Sequence, residues 1–365
     1  MRQFIGLVLF FITISYAYAE SSNFSYSGSL DGSYNYLARR NVFTSDVYNR
    51  LFDLDENGFT IQQLTLTLKN QPNHGFGGLI TLVAGRDAFN LTPNGLNANA
   101  FHIQDFGLTT PDAYGSYQGD SFLLKFGEFR SIAGIESYSY VSNLNFSRSI
   151  LNGYAQPGSH VGLIATKTFN DRWSFTIGSS NGWNTIEKPL QQDTIEAGIS
   201  YTPNPNFSFF IDIYSGLMYG TDYDESGPQG WRNLFDFYGT LKITSALSLS
   251  LNYDYAFQTK AVLPDGDTGR ATWQGLAGYI SYVLTEKLQT NFRAEIFEDS
   301  NGYRTGVRQN WREVTLTLGY QPIKSLMIEI ETRHDFSNVD AFVDKNGSGT
   351  NGNQQSYALN MYYTF

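Results

Sequence analysis

Charged side chains recurring on alternate residues are the places where this chain could do chemistry. Glu329, Glu331 and Arg333 are spaced by two within LMIEIETRHDFS, as are Arg293 and Glu295 within LQTNFRAEIFED. Asp212, Asp236 and Asp254 each interrupt a run of aromatic and aliphatic neighbours. Period-two spacing collects such residues on one face of an extended strand and the apolar ones on the other. Acids and bases facing a shared, water-filled space can sort ions by charge and hold polar solutes. A second group, Lys125, Arg130, Glu136 and Arg148, lies before and within the irregular stretch Ser131–Pro157. These four are candidates to line a constriction and set its preference. The plainer alternative is that Glu136 and Arg148 pair only to fix the loop against a wall.

Enzyme chemistry finds less support. The four histidines are His74, His102, His160 and His334, and none sits in a nucleophile–histidine or metal-ligand motif. His334-Asp335 stands at a strand end but is only a dipeptide. No enzymatic activity, cofactor or metal centre is expected. The acidic loop groups Asp222/Asp224/Glu225, Asp265/Asp267 and Asp340/Asp344 could offer oxygen ligands to a divalent cation, but read more simply as solvated surface charge. Cysteine is absent, which excludes disulfides and thiolate sites. A formal charge of −10 argues against nucleic acid as a partner.

The elements that must position these charges are strands. SYALNMYYTF (Ser356–Phe365) alternates strictly, with Tyr357, Leu359, Met361, Tyr363 and Phe365 on one face. Phe24–Leu37 alternates likewise, so the first and last strands can pair and leave no sticky edge. Between them the pattern gives sixteen strands, or fourteen if residues 86–120 are misread. The phase slips in Phe59–Lys69, which predicts a bulge at Gln62-Gln63. Short connections (70–75, 118–120, 169–171, 203–205, 244–246, 285–286, 322–324) alternate with long polar ones. That sorting fits a transmembrane antiparallel β-barrel with short periplasmic turns and long outer loops. Trp183, Trp231, Trp273 and Trp311 fall near outer strand ends and Trp173 after an inner turn, as interfacial girdles would require.

Strand phase places Asp31, Glu196, Asp212, Asp236, Asp254, Glu295, Glu313, Glu329 and Glu331 on the inner wall. Lys69, Lys125, Arg172, Lys242, Arg293 and Arg333 face them. Acids outnumber bases, so a weak cation preference is expected. The 27 residues of Ser131–Pro157 are too apolar for a surface loop, carrying Ile132, Ile135, Leu144, Phe146, Ile150 and Leu151, and are expected to fold inward as a constriction. Residues 1–19 read as a cleaved signal peptide: Arg2, an apolar core Phe4–Ile14, then Ala17-Tyr18-Ala19. The barrel then occupies 20–365.

Several blocks resemble the β-barrel porin-2, OmpL-like, family: LLKFGEFRSIAGIES (Leu123–Ser137), NLNFSRSILNGYAQPGSHVGL (Asn143–Leu163), DRWSFTIGSSNGWN (Asp171–Asn184), LTEKLQTNFRAEIFEDSNGYRTG (Leu284–Gly306) and REVTLTLGYQPIKSLMIEIETRHDFS (Arg312–Ser337). The resemblance implies a Gram-negative outer-membrane pore in contact with outer-membrane lipids, passing small hydrophilic solutes and ions passively. A substrate-specific channel for sugars, aromatic acids or peptides is the alternative within that class; an adhesin or structural barrel is a weaker one. Porins of this size often trimerise, so a homotrimer is one expected assembly.

Overall fold

The structure, a computed structural model, describes residues 23–38, 50–53, 58–91, 106–185, 193–219, 228–343 and 350–365. The expected leader, His102, and the acidic groups at 222–225 and Asp344 lie outside those residues.

Fifteen strands follow one another around the wall: β1 (Phe24–Leu37), β2 (Gly58–Asn70), β3 (Gly75–Gly85), β4 (Gly107–Gln118), β5 (Phe122–Arg130), β6 (Ser159–Asn170), β7 (Trp173–Ser180), β8 (Thr194–Asn204), β9 (Phe207–Tyr219), β10 (Gln229–Lys242), β11 (Leu247–Val262), β12 (Thr268–Thr285), β13 (Leu288–Asp299), β14 (Gln309–Ile323) and β15 (Leu326–Ser337). A small ribbon, β16 (Phe342–Val343) with β17 (Thr350–Asn351), forms a separate two-stranded sheet. β18 (Asn353–Thr364) is the sixteenth barrel strand and pairs antiparallel with both β15 and β1, closing the ring. A single helical turn, α1 (Ala88–Leu91), follows β3.

Closure is tight at one point. Gly28 N donates to Phe365 O at 2.9 Å, and Phe365 N donates to Gly28 O at 3.0 Å. A Cβ at Gly28 would collide with the Phe365 ring and with Thr65 O, so only glycine lets the terminal aromatic ring lie against β1.

The bulge in β2 falls at Gln62. Asp31 pairs with Gln63 and Gly32 with Ile61, leaving Gln62 without a partner residue. Both glutamines are buried, whereas Ile61 and Leu64 on either side are exposed. One extra residue thus aims two adjacent polar side chains inward.

In β14 and β18 the alternation holds. In β18, Tyr357, Leu359, Met361 and Tyr363 are exposed while Ser356 and Asn360 are buried. In β14, Val314, Leu316 and Leu318 are exposed while Glu313, Thr315 and Thr317 are buried. An apolar outer face and a polar interior suit a barrel in lipid, where the ring satisfies the backbone groups. Ile330 sits on that outer face. Ile330→Arg is therefore expected to cost about 2–4 kcal/mol if it lies near the bilayer midplane, read from urea unfolding in lipid vesicles. An unchanged midpoint would remove Ile330 from the lipid face.

The tryptophans divide differently from the expected girdles. Trp231 and Trp173 are exposed, but Trp183, Trp273 and Trp311 are buried. Trp273 and Trp311 hold inward strand positions alongside Ala271 and Glu313. Their rings are claimed by the barrel's interior core, not by the interface.

Candidate functional site

The wall's inner charges meet the stretch 131–157, which follows β5. It forms no strand, only a 3-10 turn at Tyr140–Ser142 and one π-helical turn at Leu151–Ala155. Its apolar side chains explain where it goes. Ala133, Ile150, Leu151 and Ala155 are buried against Trp183, Tyr214, Trp273, Phe297 and Trp311, with Ile132, Ile135 and Leu144 packed on the same cluster. Irregular backbone buried in this way must find hydrogen-bond partners outside itself.

The inner wall supplies them. Glu295 receives Ile150 N and Leu151 N, each at 2.6 Å. Glu331 receives Phe146 N at 2.8 Å and Ser147 N at 3.0 Å. Asp236 accepts from Gly134 N at 3.0 Å, Asn252 from Ile135 N at 3.2 Å, and Asp254 from Gln156 Nε2 at 2.8 Å. In return Trp273 Nε1 donates to Ala155 O, Asn291 Nδ2 to Leu144 O, and Arg333 Nη1 to Arg148 O. One side of 131–157 is thereby bolted to the wall from β9 to β15.

Arg293 is the hub of that attachment. Its Nε bonds Glu313 at 2.7 Å, its Nη1 bonds Glu136 at 2.8 Å and Ser147 O at 2.6 Å, and its side chain is fully buried. Arg333 bonds Asp335 at 2.7 Å, and Asp335 also takes Arg50 at 2.8 Å, a partner contributed by the first long connection.

The tip of 131–157 reaches the opposite wall. Tyr140 OH donates to Asp87 at 2.7 Å, and Tyr138 OH to Asp112 at 3.2 Å. Gln63, aimed inward by the bulge, donates to both Asp87 and Tyr138 O. Burial pushes the Asp87 carboxyl up to about 6, against the pull of its bond from Tyr140 and of nearby Arg148. Burial likewise raises the Tyr140 phenol well above its ordinary range.

The four constriction candidates therefore separate. Glu136 binds Arg293, accepts from Tyr279 OH at 3.1 Å and receives Ser149 N at 2.7 Å. Arg148 donates to Phe146 O and Tyr138 O and stacks its guanidinium on Tyr140 at 4.1 Å. Glu136 and Arg148 thus do not pair with each other, because each has a nearer partner: Arg293 for the acid, loop carbonyls for the base. Arg130 keeps surface: its side chain is 44% exposed although Nε bonds Asp112 at 2.9 Å. Lys125 is partly exposed, with its ammonium 4.8 Å from the Tyr114 ring.

The wall candidates Asp212, Asp236, Asp254, Arg293, Glu295, Glu329, Glu331 and Arg333 are all inward and all buried. Asp212, Asp236 and Asp254 lie directly opposite one another on β9, β10 and β11. Glu329 accepts from Asn360 at 3.0 Å. His334 stacks on Phe336 at 4.1 Å, on the face opposite Asp335, so that dipeptide brings no histidine to its acid. His160 Nε2 does meet Glu196, at 3.1 Å, on the buried inner wall. Asp265 accepts from Asp267 N in an exposed turn. Among the described residues no cluster of three or more His, Asp or Glu is arranged to hold a metal ion.

Arg50, Asp87 and Asp112 were missed. Arg50 lies in a polar stretch with no periodicity to give it a face. Asp112 was hidden by a second irregularity: Thr81 pairs with Asp112 but Val83 with Thr109, so β4 gains a residue beside Pro111.

Comparison with known proteins bears on all of this geometry. Residues 23–365 match the family described as beta-barrel porin-2, OmpL-like. No curated protein matches the chain. Among solved structures, the outer-membrane channel DcaP of Acinetobacter baumannii is similar at 12% identity and a TM-score of 0.62, over 94% of this chain and 97% of that one. An anion-selective porin from Comamonas acidovorans is similar at 10% identity and a TM-score of 0.64, over 94% of this chain and all (100%) of that one. A trimer form of OmpT from Vibrio cholerae, in-vitro folded, is similar at 10% identity and a TM-score of 0.60, over 95% and 100%. At such identities the structural likeness speaks to the fold.

Proposed function

The chain belongs to the beta-barrel porin-2, OmpL-like, family of outer-membrane porins, and from that premise we propose that it lets small hydrophilic solutes diffuse passively past an inward-folded loop, 131–157, that narrows the pore. The observation that carries this reading is the bonding of that loop to Glu295 and Glu331 on the inside of a closed barrel whose outer face is apolar. A Gram-negative outer membrane, reached by a leader at 1–19 that is cleaved, is the location this function needs. A homotrimer, the form in which the OmpT neighbour was obtained, is the assembly proposed.

Ion preference follows from the charges a solute meets, not from those the wall contains. The acid excess that pointed to weak cation preference is made of side chains that are all buried. Glu136 and Glu313 answer Arg293, and Glu295 and Glu331 hold loop N–H groups. The bases Lys69, Lys125, Arg172 and Lys242 keep accessible surface. We therefore infer a weak preference for anions, growing as salt falls because screening over about 8 Å at physiological ionic strength weakens.

Single-channel recording in a planar bilayer tests both statements. Stepwise conductance is the expected result, with a reversal potential of anion sign in a potassium chloride gradient. No steps would overturn the channel reading, and cation sign would overturn the selectivity alone. Glu136→Gln is expected to leave that sign unchanged, since Glu136 is occupied by Arg293.

A further inference from the structure

Where the tip of the loop meets β4 and β5, two bases are seated against tyrosine rings, and their arrangement is complementary to a particular kind of solute. Lys125 projects inward from β5, and its ammonium lies over the Tyr114 ring at 4.8 Å. Among the described residues it has no carboxylate or hydrogen-bond partner, so its three donors face the interior space. Arg130, five residues further along β5, stacks on the Tyr138 ring at 4.7 Å. Its Nε is engaged by Asp112 and its Nη1 donates to Ser137 Oγ at 2.7 Å, while Nη2 makes no bond among the described residues. Asp112 is itself occupied, accepting from Tyr138 OH and from Arg130 N, and is buried.

Strand geometry sets the spacing. Five residues of strand span about 17 Å along its own direction, somewhat less along a tilted barrel's axis. Arg130 therefore marks an outer station and Lys125 one nearer the short-turn end. Lys69, exposed near the end of β2, pairs through Leu79 and Tyr114 with the level of Gly127, between the other two. Among the described residues the acids beside these three bases, Asp112 and Glu128, are buried, so a negative charge meets accessible bases there. The two rings add flat surface beside two of the stations.

Resting on the channel reading above, we propose that Lys125 with Tyr114, and Arg130 with Tyr138, form a binding path for small organic anions that carry a carboxylate on a flat, weakly polar body. The carboxylate meets the ammonium through charge-assisted hydrogen bonds, and the body of the solute lies along the tyrosine ring. A neutral sugar would gain only the second contact. An inorganic anion would gain only the first.

Benzoate is the probe, and benzamide its neutral counterpart. Channels held in potassium chloride are titrated with each, and interruptions of the current are counted. Benzoate is expected to interrupt the native pore and benzamide is not. Lys125→Gln is expected to raise the half-blocking benzoate concentration about tenfold, the loss of one charge-assisted contact, while Lys125→Arg keeps it near native. Equal interruption by benzamide, or an unchanged benzoate response in Lys125→Gln channels that still conduct, overturns the site. A protein that gives no conductance steps fails the channel reading instead. Benzoate binding to the refolded barrel in detergent, measured by calorimetry on the native chain and Lys125→Gln, then tests the site by itself: tenfold weaker binding in the variant supports it, and equal or absent binding removes it.

Discussion

Arg293→Met is expected to cost the barrel about 3–5 kcal/mol, the penalty for leaving buried charges without their counter-ion. Arg293 is fully buried and bonds two carboxylates, Glu136 and Glu313, which have almost no access to water themselves. Removing the guanidinium strands Glu136, leaves Glu313 only the more distant Arg333 at 3.7 Å, and deprives Ser147 O of its donor. Urea unfolding in lipid vesicles reads the loss. The accompanying test is Arg293→Met with Glu136→Gln and Glu313→Gln, in which the stranded charges are gone and much of the loss is recovered. A single variant as stable as the native protein would show that water reaches this cluster and screens it, and the attachment of the loop would need another explanation.

The second large effect is on conductance. Glu295 and Glu331 each receive two consecutive loop N–H groups, so Glu295→Ala with Glu331→Ala orphans four donors at about 1–3 kcal/mol each if they stay buried. The loop escapes that cost by leaving the wall for water, and the passage widens as it does. The expected result is a larger unit conductance with frequent flicker and a weaker dependence of permeation on solute size. Glu295→Gln with Glu331→Gln should behave in an intermediate way, because an amide oxygen still accepts but without charge. Unaltered conductance in the alanine pair would place the loop outside the permeation path.

Much of this architecture was legible in the residues because a barrel strand writes its two environments alternately into the sequence. Leu316 and Leu318 against Thr315 and Thr317 need no tertiary information to be assigned a side. The closure of β18 on β1 followed from the alternation of their end sequences, and the bulge at Gln62 from a phase slip. The packing of Ile132, Ile150 and Leu151 into a core was readable, since such residues have no place in an exposed loop. Long-range pairing was not readable. Glu136 faces Arg293, 157 positions away, and nothing local in either segment names the other. The alternative in which Glu136 pairs with Arg148 rested on sequence proximity, yet Arg148 is drawn to the loop's own carbonyls. The charges accessible to a solute were not readable for a related reason. Counting acids and bases weights each equally, whereas burial silences the acids and leaves four of the bases accessible. Trp273 and Trp311 show the same limit, since a tryptophan near a strand end suits an interface and a core equally well until the strand's phase decides.

The fastening of the loop also bears on the order in which the molecule can be made. Ile150 and Leu151 find their acceptor on β13, 145 and 144 positions later, and Phe146 and Ser147 find theirs on β15, 185 and 184 positions later. None of these four bonds can exist until the last third of the wall has been laid down. Contacts so remote in sequence form slowly, because closing a long stretch of chain costs entropy before the contact offsets it. A nascent barrel therefore passes through a stage in which the ring is assembling and the loop is still unfastened, with Glu295, Glu331 and Arg293 open to water. Fastening of the loop is thus tied to completion of the wall, and closure of the ring joins residues more remote still, Gly28 and Phe365.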